Sequence, residues 1–329
     1  MTNRYEYSPY ELEKKHLRGD ANYVGFVMLA MTVAMQTVFT GVVLLMCFCG
    51  MLTGAQLSMD MLGMDSTSYL FLYALVYTLA MGAPAIAVSL IARKRFFPLA
   101  PCRRVNAGDA FFGVLAAMGA CMVANIVAGY IVAFFESFGA QDTPAPDYLE
   151  PNLQSFLLNL FVFAVLPALL EEMVFRGYVL RVLRPYGDWF AVAVSALLFG
   201  LMHGNLSQVP FALVVGFALG WLYIMTDNIW LPIAVHFANN AVSVLMNFLS
   251  FSLDESLHGK FYAVSIFLIA GLGLLGIGAL FARRTALLRR LPRKTPLGVG
   301  VRIGSLLKAP AFVLSVVVFV ILLVLECMP

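Results

Sequence analysis

Residues 155–184 read SFLLNLFVFAVLPALLEEMVFRGYVLRVLR, and this stretch decides the fold. A helix needs about 20 mainly apolar residues to cross a bilayer, and Ser155–Phe175 meets that length. Yet the run carries two adjacent acids, Glu171 and Glu172, and Arg176 follows one turn later. An ionisable residue inside a span costs free energy and marks function by default. The stretch therefore predicts a membrane helix that carries chemistry.

The same apolar pattern recurs along the chain. Further candidate spans are Val24–Met51, Tyr69–Ala92, Ala110–Phe135, Ala191–His203, Phe211–Met225, Ile229–Phe251, Phe261–Phe281 and Phe312–Leu325. Several are short or run together, so the expected fold is an all-α polytopic integral membrane bundle of eight or nine transmembrane helices. Composition agrees: of 329 residues, 61% are hydrophobic and 12% charged, with mean hydropathy +0.88. Soluble domains carry about 25% charged residues. A soluble globular protein, a disordered chain and a disulfide-rich module are excluded. The five cysteines, Cys47, Cys49, Cys102, Cys121 and Cys327, have no metal-binding or disulfide spacing and read as small apolar residues. A net charge of +3 gives no basis for a nucleic-acid partner.

Charge placement predicts orientation. With the N-terminal tail cytoplasmic, alternation puts every Lys and Arg except Lys260 on the cytoplasmic side, and the opposite loops carry acids such as Asp60, Asp65, Glu150 and Asp254. That is the positive-inside pattern, and it favours nine spans. The basic loop after Phe281 serves as a topology determinant and is also suited to lie along an anionic leaflet. The organisation expected is a tail at 1–23, N-terminal helices over 24–150, a core over 151–251, and C-terminal helices with a basic loop over 252–329.

Intramembrane polar residues cluster between residues 167 and 240. Glu172 and Arg176 are four apart, in the favourable order for a helical ion pair. That leaves Glu171, about 100° around the helix, free for general acid–base work. Pro167, one turn earlier, has no N–H and frees the carbonyl of Phe163. In ALLFGLMHGN, His203 lies one turn after Phe199; in WLPIAVHFANNAV, His236 and Asn240 share a face and Asn239 competes for the same role. An imidazole and a carboxamide on one face can both donate to a developing oxyanion. Each motif alone also fits a structural use, as a membrane-edge salt bridge or a hydrogen bond between helices. Glu171 and His203 flank a turn at Pro185-Tyr186-Gly187 at similar chain distances, so an antiparallel hairpin sets them at similar height.

In this order, EEMVFR, FGLMH and HFANN resemble the Glu-Glu-x-x-x-Arg, Phe-x-x-x-His and His-x-x-x-Asn motifs of the CPBP intramembrane proteases. That family includes type II CAAX prenyl endopeptidases and bacterial Abi proteins, and the resemblance covers roughly residues 155–245. It implies a helical membrane endopeptidase with a cavity open to the cytoplasm. Glu171 and His203 would activate water, His236 and Asn240 would hold the oxyanion, and Glu172 with Arg176 would support them. The family has also been described as metalloproteases; zinc, if used, would take Glu171, His203 and His236, although no His-Glu-x-x-His is present. The expected partners are a membrane-associated peptide or protein substrate and the lipid bilayer, in a bacterial plasma membrane. The rival expectations are a non-catalytic scaffold or immunity protein and a proton- or cation-coupled transporter.

Overall fold

In a computed structural model, residues 8–91, 102–141, 148–283, 288 and 295–328 are described. Ten helices follow in chain order: α1 (Pro9–Phe48), α2 (Ser66–Ile91), α3 (Ala107–Glu136), α4 (Leu153–Tyr186), α5 (Asp188–Met202), α6 (Gln208–Thr226), α7 (Trp230–Ser250), α8 (Glu255–Ala282), α9 (Val299–Leu307) and α10 (Pro310–Glu326). Among the described residues there is no strand, only an isolated bridge between Cys102 and Asn228. The protein is an all-α polytopic membrane bundle.

Local chemistry sets the helix starts. Ser8, Asn106, Asn152 and Asp254 each accept a backbone N–H of the first turn through a side-chain oxygen. Glycines set the closest crossings. A Cβ on Gly119 would lie 2.6 Å from the Cα of Gly273, so α3 and α8 touch backbone to backbone. Gly25 lies equally tight on the Ala311–Phe312 backbone.

Every expected span is helical, but the lengths divide them. Seven helices, α1–α4 and α6–α8, are long and apolar enough to cross alone. The eighth is a bent pair: α9 and α10 meet at 79°. Pro310 opens α10 and cannot continue α9, so part of the expected cytoplasmic loop is helical. The ninth, α5, has 15 residues, about 22 Å against a hydrocarbon core of about 30 Å.

The segments expected on one side gather at one end of the bundle. Tyr186 donates to Asp20 at 2.7 Å, Asn228 to the carbonyl of Arg103 at 3.0 Å, and Arg302 to the carbonyl of Tyr186 at 3.0 Å. At the other end Ser66 donates to Glu150 at 2.6 Å, and Gln141 N–H reaches the carbonyl of Cys327 at 3.1 Å. Tail and C-terminal helix thus end on opposite ends, the parity that nine segments require. The Arg93–Arg95 cluster and most of the basic loop after Arg283 lie outside the described residues.

Candidate active site

The helix that decides the fold also positions the site. α4 contains two π turns, Phe161–Val165 and Phe175–Leu180, and Glu171 and Glu172 lie between them. π turns occur often at functional sites. Phe163 cannot receive an N–H from Pro167, which has none to supply. Asn240 on α7 does, donating Nδ2 to the Phe163 carbonyl at 3.0 Å. Asn239 in turn donates to Asn240 Oδ1 at 3.2 Å. The hairpin turn falls where expected, at Arg184–Tyr186, with Gly187 at φ 118°.

Glu172 is fully buried and closed into a cluster. Its Oε1 accepts Arg176 Nη1 at 2.7 Å and His236 Nδ1 at 2.9 Å. Arg176, also 0% exposed, gives Nη2 to the carbonyl of Gly216 at 2.9 Å and stacks over Phe199 at 4.7 Å. A guanidinium in this setting needs those acceptors, because a buried unpaired charge is very costly.

Glu171 points the other way. It is 6% exposed and lines a cavity of about 500 Å³. The same cavity is lined by His203 from the end of α5 and by His236, Asn239 and Asn240 from α7. Oε1 accepts the hydroxyl of Tyr77 at 2.5 Å, while Oε2 has no hydrogen-bond partner and lies 3.8 Å from His236 Nε2. His203 Nδ1 meets the carbonyl of Phe199 at 2.8 Å, and a carbonyl only accepts. A proton is therefore on Nδ1, and Nε2 is the ring nitrogen left without a protein partner among the described residues. The Phe199 ring stands edge-on to both histidines, with centroids 5.0 and 5.9 Å away.

All six residues singled out from sequence therefore meet around α4: Glu171, His203, His236 and Asn240 on the cavity, Glu172 and Arg176 behind it. Two contacts were not anticipated. His236 bridges towards both glutamates, and Tyr77 reaches Glu171 from α2, far outside the motifs. Among the described residues no three His, Cys, Asp or Glu side chains are placed to hold a metal ion.

Residues 153–242 match the type II CAAX prenyl endopeptidase Rce1-like family. The match is confined to this region of the chain. Its boundaries enclose Glu171, Glu172, Arg176, His203, His236 and Asn240. Two curated relatives match about a third of the chain. One is YdiL, a membrane protein of Bacillus subtilis (strain 168) whose name marks it as a candidate peptidase: 28% identical over 121 residues, 36% of this chain and 49% of the relative. The other is MroQ, a membrane-embedded CAAX protease of Staphylococcus aureus (strain USA300): 26% identical over 119 residues, 34% of this chain and 48% of the relative. The chain thus spans about half the length of the curated relatives it matches. No solved structure matches it.

Proposed function

We propose that the protein is an intramembrane endopeptidase that hydrolyses a peptide bond of a membrane-associated peptide or protein. One observation carries the reading: Glu171 lines a cavity beside two imidazoles and a carboxamide, and its buried Oε2 has no hydrogen-bond partner. The family match supports it.

Glu171 Oε2 takes a proton from water, with His203 Nε2 as the second acceptor on the cavity wall. The hydroxide adds to the substrate carbonyl. His236 presents Nε2 because Glu172 holds its Nδ1, and as an imidazolium it donates Nε2–H to the oxyanion. Asn240 donates with the amide hydrogen not used by Phe163. The tetrahedral adduct collapses, the C–N bond breaks, and the proton held by Glu171 passes to the leaving amine. The products are an amine and a carboxylic acid, which gives its proton to water. The basic segments would place their end of the bundle in the cytoplasm of a bacterial plasma membrane, and the resemblance to the CPBP proteases implies that the site opens to that side.

The test compares protein termini by mass spectrometry in cells carrying the wild type or Glu171→Ala at matched expression. Termini that appear only with the wild type are expected, and they name the substrate. An identical set under several growth conditions overturns the hydrolase reading.

A further inference from the structure

Tyr77 lies on α2, outside residues 153–242 and outside every motif. Tyr73, Tyr77 and Met81 are spaced by four, so one face of α2 forms a wall of the cavity. Tyr77 is 7% exposed. Its ring lies nearly parallel to that of Tyr73, at 5.9 Å and 12°, and Tyr73 packs on Phe163 at 5.6 Å. This packing fixes where the hydroxyl points. A buried phenol needs a partner, and here the partner is Glu171 Oε1 at 2.5 Å. Hydrogen bonds from O–H to a carboxylate at such lengths are charge-assisted and roughly twice as strong as neutral ones. The contact joins residues far apart in the chain and ties the N-terminal helices to the CPBP core.

We propose that Tyr77 is a positioning residue of the hydrolase: it holds the Glu171 carboxylate by Oε1 so that Oε2 is the oxygen that takes the proton from water. This rests on the hydrolase reading of the site. The geometry follows from the two oxygens being unequal. Oε1 is occupied from the α2 side, and Oε2 is left facing His236 Nε2 at 3.8 Å. Without the phenol hydroxyl the carboxylate is free to rotate about its last bond, and either oxygen, or neither, faces the water. Misplacement of a reacting group by about 1 Å costs up to about 100-fold in rate.

The experiment has two readouts on the full chain in lipid nanodiscs. The first is infrared difference spectroscopy and needs no substrate. The carboxylate band lost in Glu171→Gln belongs to Glu171, and Tyr77→Phe is expected to move it. The same bond is read from its other end in protein with ring-¹³C tyrosine: the C–O stretch of one tyrosine changes in Glu171→Gln, with Tyr77 untouched. The second readout is cleavage of a peptide spanning a Glu171-dependent terminus. Tyr77→Phe is expected to lower kcat by about 10- to 100-fold and to leave KM within about twofold, with the protein still folded at the assay temperature. Unmoved bands overturn the hydrogen bond. Moved bands with wild-type kcat overturn the positioning role alone. Moved bands with no Glu171-dependent cleavage in the wild type overturn the hydrolase reading, and the positioning role with it, while the hydrogen bond stands.

Discussion

The two sides of α4 treat neighbouring glutamates in opposite ways. Behind the helix, Glu172 Oε1 accepts from Arg176 Nη1 and from His236 Nδ1, and Arg176 Nη2 reaches a backbone carbonyl, while Glu172 Oε2 and Arg176 Nε have no hydrogen-bond partner. In front, Glu171 has one neutral donor on Oε1 and no cation; its Oε2 is likewise without a hydrogen-bond partner, and the side chain lines the cavity. Burial is nearly the same, 0% against 6% exposed, so burial does not separate them. What separates them is whether a cation shares the face. An ion pair placed four residues apart neutralises one acid and strands the other, and the stranded acid faces the cavity. The matched side holds the core together and orients His236; the unmatched side has reactivity to spare.

The largest effect expected from breaking this contrast is on turnover. Glu171→Gln keeps the shape but removes the proton acceptor, and cleavage falls by about 10²- to 10⁴-fold while the thermal transition stays in place. Arg176→Met acts on the other side. It leaves Glu172 charged and uncompensated inside the bundle, at about 3–5 kcal/mol in stability, read by unfolding in mixed micelles. Adding Glu172→Leu to Arg176→Met recovers most of that loss, because replacing both partners of a buried pair by apolar groups is often close to neutral. If the double variant is as unstable as the single one, Glu172 has a structural task beyond pairing with Arg176.

Much of this was legible in the sequence because it is local. The apolar runs are long, the Glu172–Arg176 pair follows from a spacing of four, and the turn at Arg184–Tyr186 follows from Pro185 and Gly187. Gathering Glu171, His203, His236 and Asn240 on one cavity also follows from a helical hairpin and a shared face. The rest depends on contacts between distant segments. Tyr77 is one of 13 tyrosines, with no motif around it. The approach of His236 to both acids depends on how α7 rotates against α4. The π turns leave no trace in composition, and the 79° bend between α9 and α10 hides in a basic stretch that reads as a loop.

Asn240 stands on the border between the two sides, and a smaller effect locates it. Its Nδ2 caps the Phe163 carbonyl that Pro167 leaves without a donor. Asn240→Leu removes that donor, and an unsatisfied buried carbonyl costs about 1–3 kcal/mol. Pro167→Ala offers an N–H to the same carbonyl from within α4. In that background Asn240→Leu is expected to cost about 1 kcal/mol less, a coupling that a double-mutant cycle in mixed micelles resolves. Additive losses would mean that the carbonyl is satisfied some other way. Cleavage by the same set then assigns the side chain. Should Asn240 serve only as a cap, turnover returns along with stability in the Pro167→Ala/Asn240→Leu protein. Should it also donate to the oxyanion, stability returns while turnover stays about 10²- to 10³-fold low, the usual cost of losing one such donor.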